Sequence, residues 1–160
     1  MLRGWSTLLG WGAMLAVGCA LPLAANAEEP ATKTLTYKKA GDVSLEMVVH
    51  FPPDWKATDR RPAIIFFFGG GWNAGTIAQF EDQAKYLATR GMVAARANYR
   101  VKSRHGVKPD ACVADAQDAL GYLSEHAGDL GIDPEKLVAA GGSAGGHLAA
   151  CTGLSPALNG

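Results

Sequence analysis

The chain predicts an α/β fold, a mostly parallel sheet flanked by helices. Segments with strand character alternate along it with segments of helical spacing, the pattern of successive strand–helix–strand units. The run Ala63-Ile64-Ile65-Phe66-Phe67-Phe68 has no polar face at all. That suits a strand covered on both sides by helices better than one with a solvated face. The 160 residues allow one domain with a sizeable core, and no repeat, low-complexity stretch or linker divides them.

The first element is a leader. Arg3 is the only charged residue before Glu28, Leu8 to Leu23 is mostly apolar, and Ala25-Asn26-Ala27 supplies a small-x-small cleavage pattern. Gly10, Gly12, Gly18 and Pro22 interrupt the apolar stretch and no stop-transfer pattern follows, so a signal peptide over residues 1–27 is expected rather than a retained membrane helix. Cleavage after Ala27 would export the protein to the periplasm or the medium. A lipid anchor at Cys19 is the alternative, carried by Leu15-Ala16-Val17-Gly18-Cys19.

Thr34 to Tyr37 and Val43 to Phe51 alternate enough for two antiparallel lead-in strands joined by a turn at Ala40-Gly41-Asp42. Pro52-Pro53 ends the second, and Trp55 to Arg61 is a polar connection into the apolar strand. Ile77 to Arg90 has helical spacing with Phe80, Ala84 and Leu87 on one face, and Gly91 stops it. Met92 to Ala97 is the next strand. Pro109 to Gly128 is a longer helix with Val113, Ala116, Leu120 and Leu123 inward and Asp110, Asp118 and Glu125 outward. Leu130 to Pro134 leads back to a last strand at Leu137-Val138-Ala139-Ala140.

That last strand runs into Gly141-Gly142-Ser143-Ala144-Gly145-Gly146, followed by the helix-compatible His147-Leu148-Ala149-Ala150-Cys151. A serine forced into a tight strand-to-helix turn has a strained backbone, so its neighbours must be small; Gly141 and Gly145 meet that need and leave the hydroxyl projecting. Ser143 is therefore the candidate nucleophile. The competing reading is a glycine-rich loop making an ordinary turn, and the strand before and helix after argue against it. The first apolar strand likewise runs into Gly69-Gly70-Gly71-Trp72. Acyl transfer builds negative charge on a carbonyl oxygen, best stabilised by fixed backbone N–H groups aimed at it. The amides of Gly70, Gly71 and Ala144 are the expected oxyanion hole. A phosphate-cradling loop is disfavoured, because neither G-x-x-x-x-G-K-[ST] nor a helix-opening G-x-G-x-x-G is present.

Taken together, Gly69-Gly70-Gly71-Trp72, Asn98-Tyr99-Arg100, Gly131-Ile132-Asp133-Pro134 and Gly141 to Ala149 resemble the N-terminal part of an α/β-hydrolase. The likeness is to esterases and lipases of the hormone-sensitive-lipase-like and carbohydrate-esterase-like groups, and it runs from about residue 33 to the end. It implies that residues 28–160 form an incomplete α/β-hydrolase domain, with the later strands missing. It also implies a serine hydrolase cleaving carboxylic esters through an acyl-enzyme, with small acyl groups on carbohydrate as a plausible substrate. Those groups usually place a histidine before the glycines; here Phe68 stands in that position.

A serine nucleophile needs a base, and the base an orienting carboxylate. In this fold the chain order is Ser, then Asp or Glu, then His. Ala144 to Gly160 contains no Asp or Glu, and His147 is its sole histidine. His147 and His105 are weak candidates for the base, while His50 and His126 read as structural or surface residues. The missing Asp and His are expected in further strand–helix units, so the chain looks C-terminally truncated, with the nucleophile strand at an exposed sheet edge. Two alternatives stay open: an inactive hydrolase fragment acting as a binding module, and a peptidase of the same fold.

Cys112 and Cys151 remain after processing, and a disulfide between them is left open against two small buried thiols. Asp110, Cys112 and Asp115 read as a surface set too ordinary to hold metal, and neither metal nor cofactor is expected. Fifteen basic residues balance fifteen acidic ones. That balance gives no reason to expect nucleic acid or an acidic membrane surface as partner; the resemblance implies a small-molecule or carbohydrate ester.

Overall fold

The computed structural model describes residues 30–154. The leader, its cleavage after Ala27 and the alternative anchor at Cys19 lie outside them. The sheet has five strands, in the order β1-β2-β4-β3-β5. β1 (Ala31–Ala40) and β2 (Val43–Phe51) form the antiparallel lead-in hairpin, and β2 pairs antiparallel with β4 (Val93–Ala97). β3 (Arg61–Phe67) lies parallel between β4 and β5 (Ile132–Gly141).

Alternation along the central strands builds two core layers. Ala63, Ile65 and Phe67 of β3, with Val93, Ala95 and Ala97 of β4, pack with Ala116, Leu120 and Leu123 of helix α3 (Pro109–Glu125) and Leu148 of helix α4 (Ala144–Gly153). Phe66 and Ala94 face the other way, onto Ala84 of helix α1 (Glu81–Thr89), with Phe80 and Leu87 beside it. Both inward faces expected from helical spacing are realised. Among the described residues no helix is long and apolar enough to cross a membrane.

Four boundaries differ from the sequence expectation, each for a visible reason. β1 is longer than Thr34–Tyr37 because it pairs with β2 from Ala31 to Ala40, with a register shift at Tyr37 that sends the phenol across to Asn98. The segment Ile77–Arg90 is not one helix: Ile77–Phe80 is a 3-10 turn, and Phe80, at φ −115° and ψ 29°, breaks it from α1. α3 stops at Glu125, where His126 caps it through its N–H to Tyr122 O at 3.0 Å. β5 begins at Ile132, opposite Arg61, and then loops out until Leu137 pairs with Ala63. Arg61 fixes that early start by donating its N–H to Gly131 O at 2.9 Å.

β5 has β3 as its one neighbour among the described residues, and its Val138 is 48% exposed. The nucleophile strand is thus at an edge of the described sheet, as expected.

Candidate active site

β5 ends at Gly141 and α4 starts at Ala144, so Gly142 and Ser143 are the whole of the turn between strand and helix. The Ser143 backbone is left-handed, at φ 52° and ψ −117°, a conformation that side-chain-bearing residues rarely adopt. The glycines on either side make room for it. A methyl group on Gly145 would overlap the Phe67 carbonyl oxygen and stand 2.6 Å from that of Phe68. One on Gly141 would stand 2.5 Å from the Gly145 carbonyl. The first turn of α4 is therefore pressed directly against the end of β3. Ser143 is exposed, and its hydroxyl makes no hydrogen bond among the described residues. Ala144, at the first position of α4, has no helical acceptor for its N–H, which adds to the positive end of the helix dipole beside the serine.

The glycine loop is built against this turn. Phe68 is buried and stacks on Tyr99 at 4.0 Å, so the ring in the usual histidine position is a core group. Burial pushes the Tyr99 phenol up, keeping it a donor to Phe68 O at 2.6 Å. Gly69 lies so close to the turn that a methyl on it would stand 2.8 Å from Gly142 O. Gly70, at φ 140°, accepts on its carbonyl from the N–H groups of Asn73 and Ala74, both at 3.1 Å. A short helix α2 (Lys102–His105) then straps the loop down. Lys102 N–H donates to Trp72 O at 2.9 Å, Ser103 N–H to Asn73 O at 3.1 Å and Arg104 Nη2 to Gly75 O at 3.0 Å. The N–H groups of Gly70 and Gly71 find no acceptor among the described residues. Beside the loop, Gly71, Trp72, Val107 and Pro109, with Lys102 and Lys108, line a cleft of about 350 Å³.

The structure does not bring a histidine to the serine hydroxyl. His147 is exposed, sits edge-on to Trp72 at 5.3 Å and has Cys151 Sγ 3.7 Å from Nε2. His105 accepts the Val101 N–H on Nδ1 at 3.0 Å. His126 stacks on Tyr122 at 3.9 Å and meets its carbonyl through Nδ1 at 2.9 Å. His50 is buried and accepts from Arg96 Nε at 3.1 Å on Nε2. Burial first, and the Arg96 charge second, lower its pKa to about 4, so it is neutral near pH 7.

Two residues taken from the sequence as surface groups are not. Cys112 is buried, with Sγ 3.1 Å from Arg100 O, while Cys151 is partly exposed on α4; both are free thiols. Asp115 is fully buried. Its two oxygens accept from Arg100 Nε at 2.8 Å and Nη2 at 2.7 Å, from Arg100 N–H at 3.1 Å and from Lys38 Nζ at 2.7 Å. Burial raises its pKa, and these hydrogen bonds outweigh that, holding the carboxyl below the usual range. Arg100 and Asp115 thus tie the Asn98-Tyr99-Arg100 stretch to α3. Spacing alone gave no sign of this pairing, because Lys38 lies 77 residues away in sequence.

Carboxylesterase NlhH of Mycobacterium tuberculosis is 29% identical over 119 residues, which are 74% of this chain and 35% of that protein. Esterase LipQ of the same organism is 37% identical over 113 residues, covering 66% of this chain and 26% of its own. Among solved structures, propionate-bound esterase 2 of Thermogutta terrifontis matches with a TM-score of 0.74 and 55% identity over 80% of this chain and 46% of that one. The same esterase phosphorylated by paraoxon matches with a TM-score of 0.75 and 56% identity, over 78% and 48%. The chain therefore spans a quarter to a third of these curated relatives and about half of the solved ones. The BD-FAE family matches residues 47–159, which include the glycine loop, the serine turn and the Arg100–Asp115 tie, and the chain belongs to that family of α/β-hydrolases.

Proposed function

We propose that this chain carries the nucleophile and oxyanion hole of a secreted serine carboxylesterase acting on esters of small acyl groups. Ser143 Oγ attacks the ester carbonyl, and the amides of Gly70, Gly71 and Ala144 receive the charge that develops on its oxygen. The Oγ proton passes to a general base and then to the departing alcohol, leaving an acyl group on Ser143. Water, losing a proton to the same base, cleaves that acyl group off as the acid, and the base returns the proton to the departing Ser143 Oγ. The base and its orienting carboxylate come from outside the described residues.

One observation carries this: a strained, exposed serine at a strand–helix turn, packed against a glycine loop whose two amides have no acceptor. The relatives supply the acyl size. Esterase 2 of Thermogutta terrifontis has been captured with propionate and with butyrate, and paraoxon phosphorylates it. A carbohydrate as the alcohol is carried by the family likeness alone. In the full-length protein, Ser143→Ala is expected to abolish hydrolysis of nitrophenyl acetate; turnover left unchanged would falsify the nucleophile assignment.

The second reading is a hydrolase fragment acting as a binding module without catalysis. Carbohydrate binding with no acyl release from any nitrophenyl ester would select it.

A further inference from the structure

Gln79 takes no part in the chemistry above, yet its side chain reaches into the seam between glycine loop and serine turn. Its Oε1 accepts the Gly69 N–H at 2.6 Å and lies 3.9 Å from where a methyl on Gly142 would stand. The Gly69 N–H belongs to the same peptide unit as the Phe68 carbonyl, which accepts the Tyr99 hydroxyl at 2.6 Å. That peptide plane is therefore held at both ends, by a side chain from the 3-10 turn and one from the segment after β4. The next two residues, Gly70 and Gly71, have unpaired N–H groups and the backbone freedom of glycine. The Gly71 N–H shares a peptide with the Gly70 carbonyl, which Asn73 and Ala74 hold, so the direction left to the Phe68–Gly69 plane is that of the Gly70 N–H.

Gln79 is itself held in place. Arg96, buried on β4, donates from Nη1 to Ile77 O at 2.9 Å and so pins the 3-10 turn that carries Gln79. The same guanidinium meets Glu81 Oε2 at 3.3 Å and His50 Nε2 at 3.1 Å, which fixes it on three sides.

We propose that Gln79 is a positioning residue for ester hydrolysis: with Tyr99 it clamps the Phe68–Gly69 peptide and so aims the Gly70 amide at the oxyanion, beside the Gly71 amide that is held through the Gly70 carbonyl. This rests on the assignment of those amides as the oxyanion hole. Charge on the oxygen is greatest in the transition state, so a misaimed amide lowers kcat and leaves KM almost unchanged. Outright loss of one oxyanion donor costs about 10²–10³ in kcat, and a loosened one should cost about tenfold or more.

The test uses the full-length enzyme with nitrophenyl acetate, rates being taken per fluorophosphonate-reactive site so that misfolded protein is not counted. Gln79→Met keeps the length of the side chain and removes the acceptor; it should lower kcat about tenfold or more, with KM within about twofold. Gln79→Glu restores an acceptor oxygen and should recover most of the loss. Tyr99→Phe, which cuts the other end of the clamp while keeping its ring in the core, should show the same split and serves if Gln79→Met does not fold. A kcat for Gln79→Met within twofold of wild type overturns the inference, as does Gln79→Glu losing as much as Gln79→Met. With Gln79→Met unfolded, a Tyr99→Phe kcat within twofold overturns it as well. Hydrolysis that survives Ser143→Ala instead sinks the nucleophile assignment, so the two failures are distinguishable.

Discussion

Two helical glycines should respond to the same substitution with opposite signs. In the interior of a helix, Gly→Ala removes backbone freedom from the unfolded chain and gains about 1 kcal/mol. At Gly121, within α3, an added methyl meets nothing within 4 Å. Gly121→Ala should therefore stabilise the protein by about 1 kcal/mol, raising Tm by about 3 °C. At Gly145 the methyl falls on the Phe67 carbonyl oxygen, with the Phe67 carbonyl carbon and the Phe68 oxygen each at 2.6 Å. These are backbone atoms at the end of β3, a strand paired on both sides by β4 and β5, and they cannot retreat. α4 must lift instead, and Leu148, fully buried beneath it, loses its packing. Overpacking of this kind costs about 1–3 kcal/mol, and rigid neighbours put Gly145→Ala at the upper end. The net is a destabilisation of about 2 kcal/mol, so the two variants should differ by about 3 kcal/mol in urea denaturation. Fluorophosphonate labelling should fall for Gly145→Ala alone, because lifting α4 carries Ala144 N–H and Ser143 away from the glycine loop. A Gly145→Ala protein as stable as Gly121→Ala would refute the close approach of α4 to β3.

Asp115→Asn keeps the shape of a fully buried carboxylate but leaves Arg100 without its counter-charge and Lys38 with Asp118 alone. A loss of about 3 kcal/mol is expected in denaturant titrations at pH 7. Because the native carboxyl titrates below the unfolded value near 3.9, its contribution is present above that pH and disappears as pH falls through the native value. Asp115→Asn should remove that part of the acid sensitivity. His50 acts at milder pH: it titrates at about 4 in the fold and near 6.5 when unfolded. Between those values the unfolded chain binds a proton that the native state refuses, so stability should fall by roughly 3 kcal/mol from pH 6.5 down to 4. His50→Gln, which can still accept from Arg96, should flatten that slope; an unchanged slope would assign it to another group. Export should leave Glu28 as the free N-terminus in intact-mass measurement, whereas a lipid mass on Cys19 would support the anchor instead.

Much of this architecture was legible because its signals are local. An unbroken apolar run ending in glycines, and a serine with glycine two before and two after, each demand a particular backbone within a few residues. The parallel strands, the inward faces of α1 and α3 and the turn at Ser143 followed from such patterns. What escaped depended on distant partners. Asp115 looks like any acidic residue on an amphipathic helix until Arg100 and Lys38 arrive from other elements. Gln79 occupies an ordinary position in a helical period, and no local pattern marks its carboxamide as the acceptor for the Gly69 N–H. The early start of β5 rests on Arg61 across the sheet, which pairs with Ile132 and donates its N–H to Gly131 O, a pairing that β5 itself does not encode.

The central claim is that Ser143 is an activated nucleophile, and peptide mapping after treatment of the full-length protein with paraoxon tests it most directly. The account predicts one stoichiometric diethylphosphoryl group, on the peptide containing Ser143, and its loss in Ser143→Ala. Active esterase that paraoxon leaves unmodified at Ser143, or modifies on another residue, would contradict it.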